Sequence, residues 1–166
     1  MNQRFTKITL ISFLIITLTA CETPEKSSIE TPEKPNIDNL NKQIDNWHQA
    51  AANKDADTYF GMMAPESIFI GTDKTENWTK TEFEALYRPY FAEGKSWDFK
   101  RIERNWYFNK EYNIAWFDET LDTWMGVCQS SGVLEKQASG EWLIKHYQLS
   151  LTVDNDKMDA VIEVTK

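Results

Sequence analysis

The sequence is poor in cysteine, histidine and positive charge, and each shortage removes a class of function. Two cysteines in 166 residues cannot build the disulfide framework of a small secreted scaffold. The two histidines, His48 and His146, fall in separate predicted elements without metal-ligand spacing, so no zinc or haem site and no other cofactor is expected. Lys and Arg number 18 against 26 Asp and Glu, a net charge of −8 that lacks the basic footprint of a general nucleic-acid binder. The apolar run Ile8 to Thr19 is about 12 residues, well short of the ~20 that a membrane-spanning helix needs. There is no glycine-rich phosphate loop, nucleophile elbow or Ser/His/Asp motif. Aromatic side chains, in contrast, are plentiful. They make up 13% of the chain, with seven tryptophans, and hydrophobic residues reach 41%, too many for a disordered protein.

Residues 1–20 differ in composition from everything after them. Arg4 and Lys7 form a basic start, the apolar run follows, and small residues come next, which is a secretory signal pattern. Leu18-Thr19-Ala20-Cys21 resembles the bacterial lipobox. That resemblance implies cleavage before Cys21, acylation of its sulfur and usually of the new amine, and attachment to a membrane of the cell envelope. Several acyl chains turn a marginal membrane contact into a stable anchor. Losing Arg4 and Lys7 from the 18 basic residues, and no acids, would leave the mature chain at −10. Residues 21–36 hold three of the five prolines and repeat Thr-Pro-Glu-Lys at 23–26 and 31–34, the composition of an extended tether.

Residues 37–166 are expected to form one α+β domain. Ile37, Leu40, Ile44, Trp47 and Ala51 make one face of a helix beginning near Asp38, and Asp55 caps a short second helix through Phe60. Ser67 to Gly71 reads as a brief strand. Thr79-Lys80-Thr81-Glu82 is a capping box for a third helix carrying Phe83, Leu86, Tyr87, Tyr90 and Phe91, which Pro89 is expected to kink or end. From Trp97 the period changes to two. Strands are predicted over 97–108, 113–124, 127–137 and 142–153, with connections short enough to make neighbours antiparallel.

This order, with Phe69-Ile70-Gly71-Thr72-Asp73, Trp78-Thr79, Ala115-Trp116-Phe117-Asp118-Glu119, Ser131-Gly132-Val133-Leu134 and Gly140-Glu141-Trp142-Leu143-Ile144-Lys145-His146-Tyr147, resembles the SnoaL-like domains of the nuclear transport factor 2-like superfamily. The resemblance spans roughly residues 37–154. It implies a cone-shaped α+β barrel in which N-terminal helices pack on a curved antiparallel sheet and enclose a pocket. It also implies a choice among ligand binding, acid–base catalysis of isomerase, cyclase or dehydratase type, and homodimeric interaction. The fold alone does not select one.

An aromatic-lined pocket for a small organic ligand is the first expectation, with Phe69, Trp78, Phe83, Tyr87, Tyr90 and Trp116 as its lining. The same residues are equally read as ordinary core. Alternation places Trp116, Asp118, Thr120 and Asp122 on one face of their strand, and Trp142, Ile144, His146, Gln148 and Ser150 on one face of the last. Asp118 and His146 are the acid–base candidates if those faces line the cone, with a buried aspartate raised toward a useful range. Parity leaves open which face is inside. Cys128 has no partner once Cys21 is acylated, so it is expected to be buried, with intermolecular pairing as the alternative. The acidic cluster Asp154, Asn155, Asp156 and Asp159 lacks the EF-hand glycine and distal glutamate and reads as a solvated tail. Asn77-Trp78-Thr79 fits a glycosylation sequon that has no role in a bacterial chain.

Overall fold

A computed structural model describes residues 33–166 of the protein. The signal pattern, Cys21 and the tether up to residue 32 lie outside the described residues. Helix α1 (Ile37–Ala52) starts where the Asn36 side chain accepts the backbone N–H of Asn39, and α2 (Ala56–Gly61) starts where Asp55 accepts that of Thr58. The capping box forms as its residues require. Glu82 accepts the Thr79 N–H at 2.9 Å while the Thr79 hydroxyl accepts the Glu82 N–H at 3.3 Å, opening α3 (Lys80–Ala92). Pro89 does not end this helix, which runs on to Ala92. The missing donor falls in the last turn on an exposed side, where a single lost bond is tolerated.

Six strands make one sheet: β1 (Met63–Ile70), β2 (Asn77–Thr79), β3 (Lys100–Phe108), β4 (Ile114–Thr123), β5 (Gly126–Lys136) and β6 (Trp142–Leu151). Their spatial order is β2-β1-β6-β5-β4-β3. The meander from β3 to β6 is antiparallel, as its short turns dictate. The sheet departs from the expected all-antiparallel form at one seam, where β6 returns beside β1 and runs parallel to it. The helices cover one face of the curved, unclosed sheet.

The core fills that covered face. Leu40, Ile44 and Trp47 of α1, Tyr59 and Phe60 of α2 and Phe83 of α3 meet Phe117, Leu121, Leu134, Ile144 and Tyr147 of the strands. Gly132 stands opposite Phe117 in the β4–β5 register, and a Cβ there would come within 2.5 Å of the Phe117 ring. The bare backbone is what lets that ring lie across β5. Cys128 is fully buried in this core and free, so a packing role replaces intermolecular pairing. The residues after β6 form a short helical tail, Asn155–Val164, with no buried side chain. Among the described residues every buried one lies between Leu40 and Leu149, and residues 32–166 form a compact unit by themselves.

Candidate functional site

At one end of the covered face a pocket of about 390 Å³ opens to solvent. Phe69, Trp78, Phe83, Tyr87 and Tyr90 all line it. They arrive from three directions. Phe69 faces inward from β1, Trp78 comes from β2, and the α3 residues follow one helical stripe. Phe69 stacks on Phe83 at 4.0 Å, and Trp78 lies nearly parallel to Phe83 at 5.6 Å. Phe83 is only 1% exposed, so it backs the wall and belongs mostly to the core.

Three further aromatics were not singled out from the sequence. Trp97 and Phe99 sit in the segment just before β3, which was expected to be strand and is instead an irregular wall of the pocket. Trp97 meets Tyr87 at 87° and 5.3 Å, and Trp78 meets Tyr87 at 71°, so neighbouring walls stand nearly perpendicular. Trp124, in the β4–β5 turn, lines the mouth and is 80% exposed. A tryptophan left so open contributes little to the core. Polar groups are contributed by Thr72, Ser96, Glu76 and the hydroxyls of Tyr87 and Tyr90. Burial, and after it the negative charge of Glu76, pushes the Tyr87 hydroxyl above its ordinary range.

Trp116, Asp118 and His146 are elsewhere. In β4 the inward residues are Ala115, Phe117, Glu119 and Leu121, so Trp116 and Asp118 face away from the helices. Trp116 is 41% exposed and stacks on Tyr107 of β3. Asp118 is exposed and accepts a hydrogen bond from Asn105 at 3.1 Å. In β6 a register irregularity between Ile144 and His146 breaks the expected alternation. Ile144 and Tyr147 both turn inward, and His146 is left among the outer-face residues. Strand β5 separates Asp118 from His146, so the proposed acid–base pair does not converge and neither residue borders the aromatic pocket.

The buried acid is Glu119, one residue along. Its Oε1 accepts from His48 Nε2 at 3.0 Å, the Ser130 hydroxyl at 2.7 Å and the Tyr147 hydroxyl at 3.2 Å. Its Oε2 accepts from Arg104 Nε at 2.8 Å and Nη2 at 2.6 Å, and Arg104 Nη1 reaches on to Asp45 and Asn41 of α1. Burial alone would raise this carboxyl. The hydrogen bond and charge of His48, the Arg104 guanidinium and the Ser130 hydroxyl outweigh that and hold it at about 2. Five donors saturate the roughly four lone-pair sites of a carboxylate, so this group has no free oxygen with which to take a substrate proton. The cluster fastens α1 to the sheet. Sequence signals for it existed: Glu119 interrupts the apolar Ala115-Phe117-Leu121 face, and His48 sits on the Leu40-Ile44-Trp47-Ala51 stripe.

Comparison with known proteins agrees with this architecture. Residues 40–154 match the model of the SnoaL-like domain. None of the curated proteins matches the sequence. Among solved structures, a nuclear transport factor 2-like protein of unknown function from Pseudomonas putida superposes with a TM-score of 0.59 at 13% identity, covering 72% of this chain and 89% of that one. A nuclear transport factor 2-like protein from Cytophaga hutchinsonii gives 0.58 at 12% identity, covering 71% and 99%. The association domain of C. elegans CaMKII gives 0.57 at 18% identity, covering 69% and 95%. At these identities the likeness is one of fold.

Proposed function

The chain belongs to the SnoaL-like domain family, and on that footing we propose that it is a binding protein that holds a small organic ligand in its aromatic pocket while a lipid at Cys21 anchors it to the bacterial cell envelope. The observation that carries the binding reading is the pocket itself. It is a cleft of about 390 Å³, walled by rings at steep angles and open at a mouth bearing an exposed tryptophan. Catalysis has less support, because the saturated Glu119 is tied into the core and Asp118 and His146 face outward.

The pocket is tested on residues 32–166 with the neutral fluorescent probe N-phenylnaphthylamine. Saturable binding is expected. Trp124→Ala should weaken it by about tenfold, the size of one aromatic contact, while leaving the melting temperature unchanged because the side chain is exposed. Absence of saturable binding, or binding indifferent to Trp124, would remove the reading.

A further inference from the structure

The pocket has a charge as well as a shape. Among the described residues no lysine, arginine or histidine lines it, and its one ionisable acid is Glu76. That carboxylate is placed by the loop between β1 and β2. Glu76 Oε2 accepts the Asp73 N–H at 3.1 Å, and the Gly71 N–H donates to the Glu76 carbonyl at 3.0 Å. Asp73 in turn accepts both the backbone N–H and the hydroxyl of Thr75. Gly71 is part of the device. A Cβ at that position would lie 2.1 Å from Glu76 Oε2, so only glycine admits the carboxylate against the backbone there.

Among the described residues Glu76 has no cationic partner, and Lys74 in the same loop makes no ion pair with it. The rings beside it are of the kind that attract cations through their negative faces. One of them already does so: the Lys95 ammonium, paired with Glu93, lies 5.6 Å from the centre of Tyr90. An anion would be repelled by an acid fixed at the wall, and a neutral ligand would gain from it only by donating a hydrogen bond, whereas a cation is attracted without one.

We propose that the ligand is a small organic cation, an alkylated or quaternary ammonium compound, with its charge held beside the Glu76 carboxylate among the rings of Trp78, Tyr87 and Trp97 that line the same pocket. This rests on the reading of the pocket as a ligand site. A quaternary ammonium suits the arrangement because it has no N–H to satisfy, and the pocket offers rings, one carboxylate and a few hydroxyls.

The test is competition on residues 32–166 against bound N-phenylnaphthylamine, using phenyltrimethylammonium and its neutral carbon isostere tert-butylbenzene. The cation is expected to compete at a concentration at least about tenfold lower than the isostere. Glu76→Gln keeps an oxygen for the Asp73 N–H, so the loop survives. It should remove most of the preference for the cation and leave competition by tert-butylbenzene as it was. An isostere that competes as well as the cation, or a preference that survives Glu76→Gln, overturns the cation assignment while continued binding of N-phenylnaphthylamine leaves the pocket reading standing. Failure of N-phenylnaphthylamine itself to bind removes both.

Discussion

Glu119→Gln is expected to destabilise the domain by about 3–5 kcal/mol, the usual consequence of stripping one partner from a buried ion pair. Glutamine keeps the shape and one acceptor, but Arg104 stays buried with its Nε and Nη2 facing a neutral amide. Because the total stability of a domain is about 5–15 kcal/mol, chemical denaturation should register a large drop in midpoint. Replacing the pair together, Glu119→Leu with Arg104→Met, should recover much of the loss, since no charge is then left unpaired. The same carboxylate sets the acid response. Its folded-state value of about 2 lies below the unfolded one, so its contribution is complete above the ordinary carboxylate range. It is lost as pH falls from near 4.5 toward 2, by on the order of 3 kcal/mol. Glu119→Gln should flatten that part of the stability–pH curve. A variant as stable as the parent, with the same acid slope, would show that the cluster does not hold α1 to the sheet.

Cys21→Ser is expected to abolish lipid attachment outright. A single acyl chain gives only marginal, reversible membrane binding, and the envelope location proposed for this chain needs the several chains that a lipobox cysteine receives. Serine offers a far weaker nucleophile in place of the sulfur. In bacteria grown with labelled palmitate, the parent chain should carry label and sediment with membranes. The variant should carry none. A parent chain without label would contradict the anchor. Labelling unaffected by the substitution would place the lipid on another residue.

The order of elements was legible because each depends on local chemistry. The capping box at Thr79 and Glu82 and the Asp55 cap appear where the residues put them, while the two-residue period that begins at Trp97 becomes strand only from Lys100. The parallel seam between β1 and β6 was not legible, since it is set by the return of a long meander and no local pattern encodes it. The site divided along the same line. The α3 stripe and Phe69 could be assigned to a pocket from periodicity and family resemblance. Trp97 and Phe99 were hidden because their alternation continues that of β3 although the backbone there is irregular. His146 was misplaced by a bulge, which reverses parity without leaving a glycine or proline to mark it. Asp118 shares its face with Trp116, and that face is the outer one. Glu119 shares its face with the more apolar Ala115, Phe117 and Leu121, and that pattern marks the interior.

The seven tryptophans report separately on the pocket and on everything outside it. Trp78, Trp97 and Trp124 line the pocket, while Trp47 donates to the Tyr59 carbonyl in the core, Trp106 donates to Asn41, and Trp116 and Trp142 lie away from it. The decisive measurement is the indole N–H spectrum of residues 32–166 labelled with nitrogen-15, titrated with benzyl alcohol as a small neutral probe. Binding in the pocket predicts saturable shifts of the Trp78, Trp97 and Trp124 resonances with the other four unmoved. Shifts at Trp116 or Trp142 with the pocket tryptophans silent, or no shift at all, would contradict it.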